Sequence, residues 1–154
     1  MTGVGVPKDF DVVIMNPPFT RRERIPAEKE KLEDLVPLVK GKTGYWAYFV
    51  IGADKVLKKN GILALVTPEE FFAGGGAESV RKHIFPNYGI TYVVRSAVEV
   101  AFSESASYRD YLLILRKGEK NRQLVVAILK KQLSEIKNRI LDVALSLKDF
   151  ESSK

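Results

Sequence analysis

Ten residues, Phe10 to Phe19, reading FDVVIMNPPF, constrain this chain more than any other stretch. The apolar run Val12 to Met15 has the length and β-branched content of a buried parallel strand. It stops abruptly at Asn16, Pro17, Pro18 and Phe19. Proline has a fixed φ and no N–H, so two in succession cannot continue a β-ladder, and the carbonyls of Asn16 and Pro17 are held in a stiff extended turn. In open α/β sheets ligands bind at the carboxyl ends of the strands, which is where this turn would lie.

The tetrad carries a definite chemistry. The Asn16 side-chain oxygen and the Pro17 main-chain carbonyl are two acceptors set side by side, and Phe19 offers a flat apolar face for a ring. Such a set suits a planar amine, whose lone pair is delocalised into its ring. Two acceptors gripping the amine hydrogens favour the geometry in which that lone pair is free to react, and no strong base is needed.

Other chemistries are excluded by composition. The 154 residues contain no Cys and a single His, His83, which removes disulfides, thiolate or histidine-cluster metal sites and most Ser-His or Cys-His catalytic arrangements. A chain of this length forms one domain able to bury about 70% of its unfolded surface. Twenty-five Lys and Arg against 19 Asp and Glu give a net charge of +6, which suits a polyanionic partner such as DNA. Neither a signal peptide nor an apolar run approaching a membrane span is evident, so the expectation is a cytoplasmic protein with no membrane partner.

Gly3 and Gly5 precede a strand instead of following one and opening a helix, so they do not form a phosphate-cradling loop. Thr20 to Lys42 is densely charged, and Arg21, Arg22 and Arg24 directly follow the tetrad, where they could contact phosphates. Thr43 is placed to cap a helix over Tyr45 to Lys59, with an apolar stripe of Trp46, Phe49, Val50, Ala53, Val56 and Leu57 and a stop at Asn60-Gly61. Ile62 to Val66 reads as a second buried parallel strand, completing a right-handed βαβ unit.

Thr67, Pro68 and Glu70 read as cap, first-turn proline and capping-box acid of a short helix. After a triple-glycine break, Ala77 to Phe85 is helical, with Arg81, Lys82 and His83 expected outward. Ile90 to Val94 and Val98 to Phe102 read as one strand with a bend near Ser96, and Tyr111 to Leu115 as the other arm of an antiparallel hairpin. Leu124 to Leu129 is a further strand. Gln132 to Lys148 is an amphipathic helix with Leu133, Ile136, Ile140, Ala144 and Leu147 on one stripe, packed either on its own domain or on a partner helix.

NPPF after an apolar strand resembles the catalytic tetrad of the S-adenosylmethionine-dependent amino-methyltransferases, above all the adenine-N6 DNA methyltransferases of restriction-modification systems. NPPFTRRERIP resembles their tetrad plus arginine-rich stretch, and YWAYFVIGADKVLKKNGILALVTPEEFF follows their order of helix, glycine, apolar strand and Thr-Pro turn. The resemblance implies an α/β fold: a partial Rossmann-like methyltransferase sheet, with parallel strands and a crossover helix followed by an antiparallel hairpin. It further implies residues 1–117 as the catalytic, substrate-side half of a methyltransferase domain and 118–154 as an added strand and helix.

For the site, the resemblance implies Asn16, Pro17 and Phe19 as catalytic residues, with Asn16 also facing the cofactor. Pro18, Arg21, Arg22, Arg24 and Phe102 would contact substrate, Phe102 as a second aromatic against a flipped adenine. The same tetrad occurs in enzymes that methylate RNA guanine N2 or protein glutamine, and a non-catalytic nucleic-acid-binding or assembly subunit is the other reading. Only ten residues precede Asp11, so the glycine loop and acidic residues that hold the cofactor in this family are expected from elsewhere. A homodimer, a complementary cofactor-binding half or a longer enzyme would supply them, recruited by the exposed edge of the first strand.

Overall fold

The computed structural model describes residues 7–19, 34, 36–39, 43–98, 102, 109–120 and 123–153. Strand β1 (Phe10–Met15) runs parallel to β2 (Leu57–Pro68), and the crossover between them contains helix α1 (Trp46–Val56). Helix α2 (Glu78–Asn87) leads into β3 (Tyr88–Ser96), which forms an antiparallel hairpin with β4 (Asp110–Lys117). β5 (Val125–Leu129) pairs parallel with β3, giving a five-stranded mixed sheet of order β1-β2-β4-β3-β5. The architecture is the expected one, with β4 inserted antiparallel between β2 and β3.

The core lies on one face of the sheet. Leu63 and Leu65 of β2 and Leu113 and Leu115 of β4 are at most 1% exposed and share a cluster with Trp46, Phe71, Val80 and Ile84. Trp46 is thus a core residue, as its place in the helical stripe indicates. Phe49 is not: it is 49% exposed, while Ala47, Tyr48 and Ile51 complete the buried face. In β1, Val13 and Met15 pack against the core while Val12 and Ile14 are 47% and 79% exposed, so this apolar run is buried on one face only. The reason is position: the C-terminal helices on the second side of the sheet face residues of β2 to β5, and no β1 residue lines the space beneath them.

α1 is shorter than its periodicity suggests, and Asn60-Gly61 do not end it. The chain turns extended at Leu57, and the C-terminal carbonyls of Asp54 and Leu57 receive the Lys117 ammonium at 2.6 and 3.0 Å, so a distant lysine caps the helix. Asn60 (φ 65°) and Gly61 instead belong to an irregularity in β2, where Phe10 pairs with Leu57 but Val12 pairs with Ile62. A Cβ on Gly61 would come within 2.9 Å of the Lys58 carbonyl, so no side chain fits there. Thr43 does not cap α1 either, since its hydroxyl donates to the Gly76 carbonyl.

β3 ends at Ser96 in the expected bend, and a further register shift falls between Ile90 and Tyr92. Ala97, Val98 and Phe102 are bends, not strand. The expected C-terminal helix is divided into α3 (Leu133–Ile136), a 3₁₀ turn (Lys137–Arg139) and α4 (Ile140–Ser152). Leu133, Ile136, Ala144 and Leu147 face the second side of the sheet across a cavity of about 500 Å³, also lined by Phe102 and Leu112. The stripe of this helix is directed at its own sheet, but none of its described side chains is buried, and Leu141, Leu145 and Phe150 are 70%, 49% and 49% exposed. No helix among the described residues is long and apolar enough to cross a membrane.

At the amino ends of β2 and β3 a polar network ties the layers together. Asp54 accepts from the Tyr88 hydroxyl at 2.6 Å, lies 2.8 Å from His83 Nε2 and pairs with Lys117 at 3.0 Å. His83 is therefore a partly buried link between α1 and α2 rather than a plain surface residue. Burial opposes the Asp54 charge, but the bonds from Tyr88, His83 and Lys117 outweigh it and hold the carboxyl below its ordinary range. Burial, reinforced by the bond to Asp54, pushes the Tyr88 phenol up.

A carboxylate depressed on folding stabilises the protein above its unfolded pKa and loses that contribution as pH falls through the folded value. Asp54→Asn should cost about 2 kcal/mol in urea unfolding at pH 7. The difference from the unaltered protein should shrink as pH is lowered below about 4, and a difference that persists undiminished would assign the effect to shape instead of charge.

Candidate active site

β1 ends opposite Leu65 of β2, its last pairing being Met15 with Leu65. The four residues that follow depart from the ladder for the reason their sequence dictates, since neither Pro17 nor Pro18 has an N–H to donate. Asn16 and Pro18 are exposed, Pro17 is buried, and Phe19 is partly buried with its ring against the core. Strand alternation puts Val13 and Met15 toward the core and Ile14 on the opposite side, the side of Val66.

The end of β2 forms the rest of this edge. Thr67 lies within the strand, paired with Tyr111, and does not cap a helix. The short segment after it is a 3₁₀ turn, Glu69–Phe71, entered from Pro68 without a capping box, and the Glu69 N–H donates to the Arg109 carbonyl at 3.0 Å. Arg81 folds back onto this turn, although its place in the helix suggested an outward residue. Its guanidinium donates to the carbonyls of Glu70 at 3.2 Å, Phe71 at 3.5 Å and Gly74 at 2.7 Å. Gly74, with φ 103°, takes a left-handed conformation suited to glycine and brings its carbonyl within that reach. Lys82, by contrast, does face outward and pairs with Glu78.

An aromatic ladder crosses the edge. Trp46 meets Phe71 at 5.9 Å, Phe71 meets Phe72 at 5.4 Å, and Phe72 meets Tyr111 at 5.2 Å, all edge to face. Phe72 and Tyr111, like Phe19, are partly buried rings on the core side, so a second aromatic surface stands one strand away from the tetrad. Sequence reasoning missed Arg81 and Tyr111 because their roles depend on tertiary contacts. The Gly74–Gly76 break, which permits close approach to the backbone, was the one local hint of a neighbour there.

Phe102 is also at this edge. Its N–H donates to the buried Asp110 carboxylate at 2.6 Å, and Asp110 pairs with Pro68. Its ring lines the cavity beneath α4 together with Val66 and Leu112, on the side of the sheet opposite the core against which Phe19 packs. The structure thus brings Asn16, Pro17, Pro18 and Phe19 together and sets Phe102 across β2 from them. Arg21, Arg22 and Arg24 lie outside the described residues.

A family model described as the Eco57I restriction-modification methylase matches residues 4–102, which include the whole βαβ unit and the tetrad. The chain belongs to this family. The type II methyltransferase M.BanIII of Aneurinibacillus aneurinilyticus is 29% identical over 85 residues, covering 54% of the chain and 14% of that protein. A class I S-adenosylmethionine-dependent methyltransferase of Listeria monocytogenes superposes with a TM-score of 0.62 at 22% identity, covering 88% of this chain and 42% of that one. The type IIG restriction endonuclease BpuSI gives a TM-score of 0.68 at 20% identity, with coverages of 88% and 17%. The chain therefore spans less than half the length of each of these relatives, and the two structural likenesses show the fold.

Within this Eco57I-type sheet the turn gripped by Arg81 frames the edge. Arg81→Ala frees three carbonyls from a charged donor and should destabilise the protein by about 2 kcal/mol in urea unfolding. Amide exchange should accelerate selectively over residues 69–74, and uniform exchange across the sheet would show that the guanidinium does not pin this turn.

Proposed function

We propose that this chain is the catalytic, substrate-side half of an enzyme that methylates the N6 amino group of adenine in DNA, using S-adenosylmethionine, within a restriction-modification system. The observation that carries the reading is the Asn16-Pro17-Pro18-Phe19 turn at the carboxyl end of a parallel strand in a restriction-modification methylase fold. In this reading residues 1–117 form that half, and 118–154 add a strand and helix to it.

Asn16 and Pro17 orient the amine. Their oxygens accept its two hydrogens, which turns the nitrogen lone pair out of conjugation with the ring, and Phe19 holds the ring by its face. Adenine must leave the duplex to reach them, and Phe102, whose ring lies on the other side of the sheet from Phe19, contacts the extruded base only if the segment that carries it turns toward the tetrad. The exposed Pro18 ring adds an apolar contact to the substrate. Neither acceptor is a strong base, so the proton released after transfer passes to solvent. Arg21, Arg22 and Arg24 serve as phosphate contacts, consistent with the net charge of +6.

The fit to the cofactor is that of half a site. Asn16 is exposed at the outer side of an edge strand, where a molecule held beyond β1 would meet its amide first. S-adenosylmethionine when bound supplies an activated methyl group. The remaining contacts to it come from a complementary cofactor-binding half or a second copy of the chain, joined along β1, where Phe10, Val12 and Ile14 are 44%, 47% and 79% exposed. The same exposed edge favours a second reading, in which the chain is a non-catalytic nucleic-acid-binding or assembly subunit.

Calorimetric titration of S-adenosylmethionine into the purified protein separates these readings. Saturable binding that weakens at least about tenfold in Asn16→Ala, with the fold unchanged by circular dichroism, is expected if the site assembles from copies of this chain. Absence of binding by folded protein alone, and again after addition of a cofactor-binding half, would favour the assembly subunit.

A further inference from the structure

The edge at which β1 and β2 end contains a buried hydroxyl. Thr67 is 0% exposed, and among the described residues its Oγ1 has no hydrogen-bond partner. Buried polar groups are almost always satisfied, and valine has nearly the same shape and suits a strand at least as well. Packing therefore explains the methyl group of Thr67 but not its oxygen.

Its position suggests what the oxygen is for. Met15 and Leu65 are the last pair of the parallel ladder, and carried on in the same register the ladder would set Pro17 level with Thr67. Alternation puts Thr67 on the core side with Leu63 and Leu65, the side on which Pro17 is buried and Phe19 packs. On its other side Thr67 is paired with Tyr111, the end of the aromatic ladder. Among the described residues Trp46 Nε1 and Ser79 Oγ are likewise buried without a hydrogen-bond partner, and the Trp46 ring contacts Phe71 in the turn directly after β2.

We infer that Thr67 is a positioning residue of the methyl-transfer site, whose hydroxyl bonds the Asn16–Phe19 turn when substrate engages it. The inference rests on the reading of that turn as the amine-binding element. Pro17 and Pro18 have no N–H, so the turn beside Thr67 presents carbonyl oxygens and the hydroxyl must act as the donor. When the Pro17 carbonyl is drawn toward an amine, a bond from Thr67 to a neighbouring carbonyl fixes the turn in its gripping position. The hydroxyl is thus unpaired in the free protein and paired in the complex, so its benefit appears in the reaction and not in folding.

Two substitutions give this a signature that a structural role cannot imitate. Thr67→Val keeps the shape and removes the hydroxyl; Thr67→Ser keeps the hydroxyl and removes a methyl group. In methyl-transfer assays with S-adenosylmethionine, adenine-containing DNA and the cofactor-binding partner if one is required, Thr67→Val should lower kcat by about tenfold to a hundredfold. Its Tm should be no lower than that of the unaltered protein. Thr67→Ser should keep most of the activity while its Tm falls, reversing the order of the two variants between the assays. Full activity in Thr67→Val would overturn the inference while leaving the amine-binding reading intact. A marked fall in the Tm of Thr67→Val would also overturn it, by showing that the hydroxyl is bonded in the free protein. Absence of transfer by the unaltered protein under all these conditions would remove the reading and this inference together.

Discussion

The parallel pairing of β1 with β2, cut short by two prolines, is the constraint on which the rest of the structure depends. It requires a crossover, and α1 supplies it by burying Trp46, Val50 and Ile51 against Leu63 and Leu65. It also fixes where the chain must leave the sheet, one residue past the Met15–Leu65 pair. What leaves the sheet there is a turn whose two prolines contribute acceptors and no donors, a composition that would be costly in a buried loop and is useful at an open edge.

The two ends of the sheet are built on opposite principles. At one, Asp54, His83, Tyr88 and Lys117 satisfy one another and lock α1, α2, β3 and β4 in place. At the other, Asn16 is exposed, Thr67 is unsatisfied, and Phe19, Phe72 and Tyr111 are only partly covered. A rigid far end allows the open end to keep polar groups that folding alone would not select, and Arg81 holds the turn that borders it.

Much of this was legible in the sequence because it follows from local rules. The apolar runs at Val12–Met15 and Ile62–Val66 gave the parallel pair, and the helical stripe between them gave the crossover and the core position of Trp46. The failures share a cause. Asn60-Gly61 has the chemistry of a helix stop, yet Lys117, 60 residues from Leu57 in sequence, caps α1 instead. Thr67-Pro68-Glu70 has the spacing of a capping box, yet β2 runs on through Thr67 because β4 offers Tyr111 as a partner. Arg81 and His83 read as surface residues on a short helix, and the partners that bury them lie on other elements. At the site, the tetrad residues are neighbours in sequence and were legible together. The side of the sheet that Phe102 lines depends on the cavity under α4, which no local pattern encodes.

The central claim is that the turn at the end of β1 presents an adenine amine for methylation. Its most direct test is the chemical identity of the product. The protein would be incubated with isotopically labelled S-adenosylmethionine, duplex DNA of mixed sequence and, if needed, the complementary half, and the digested nucleosides resolved by mass spectrometry. Label in N6-methyladenine, lost on Asn16→Ala, is the expected result; label in another base, or in N6-methyladenine at an undiminished level after Asn16→Ala, would contradict it.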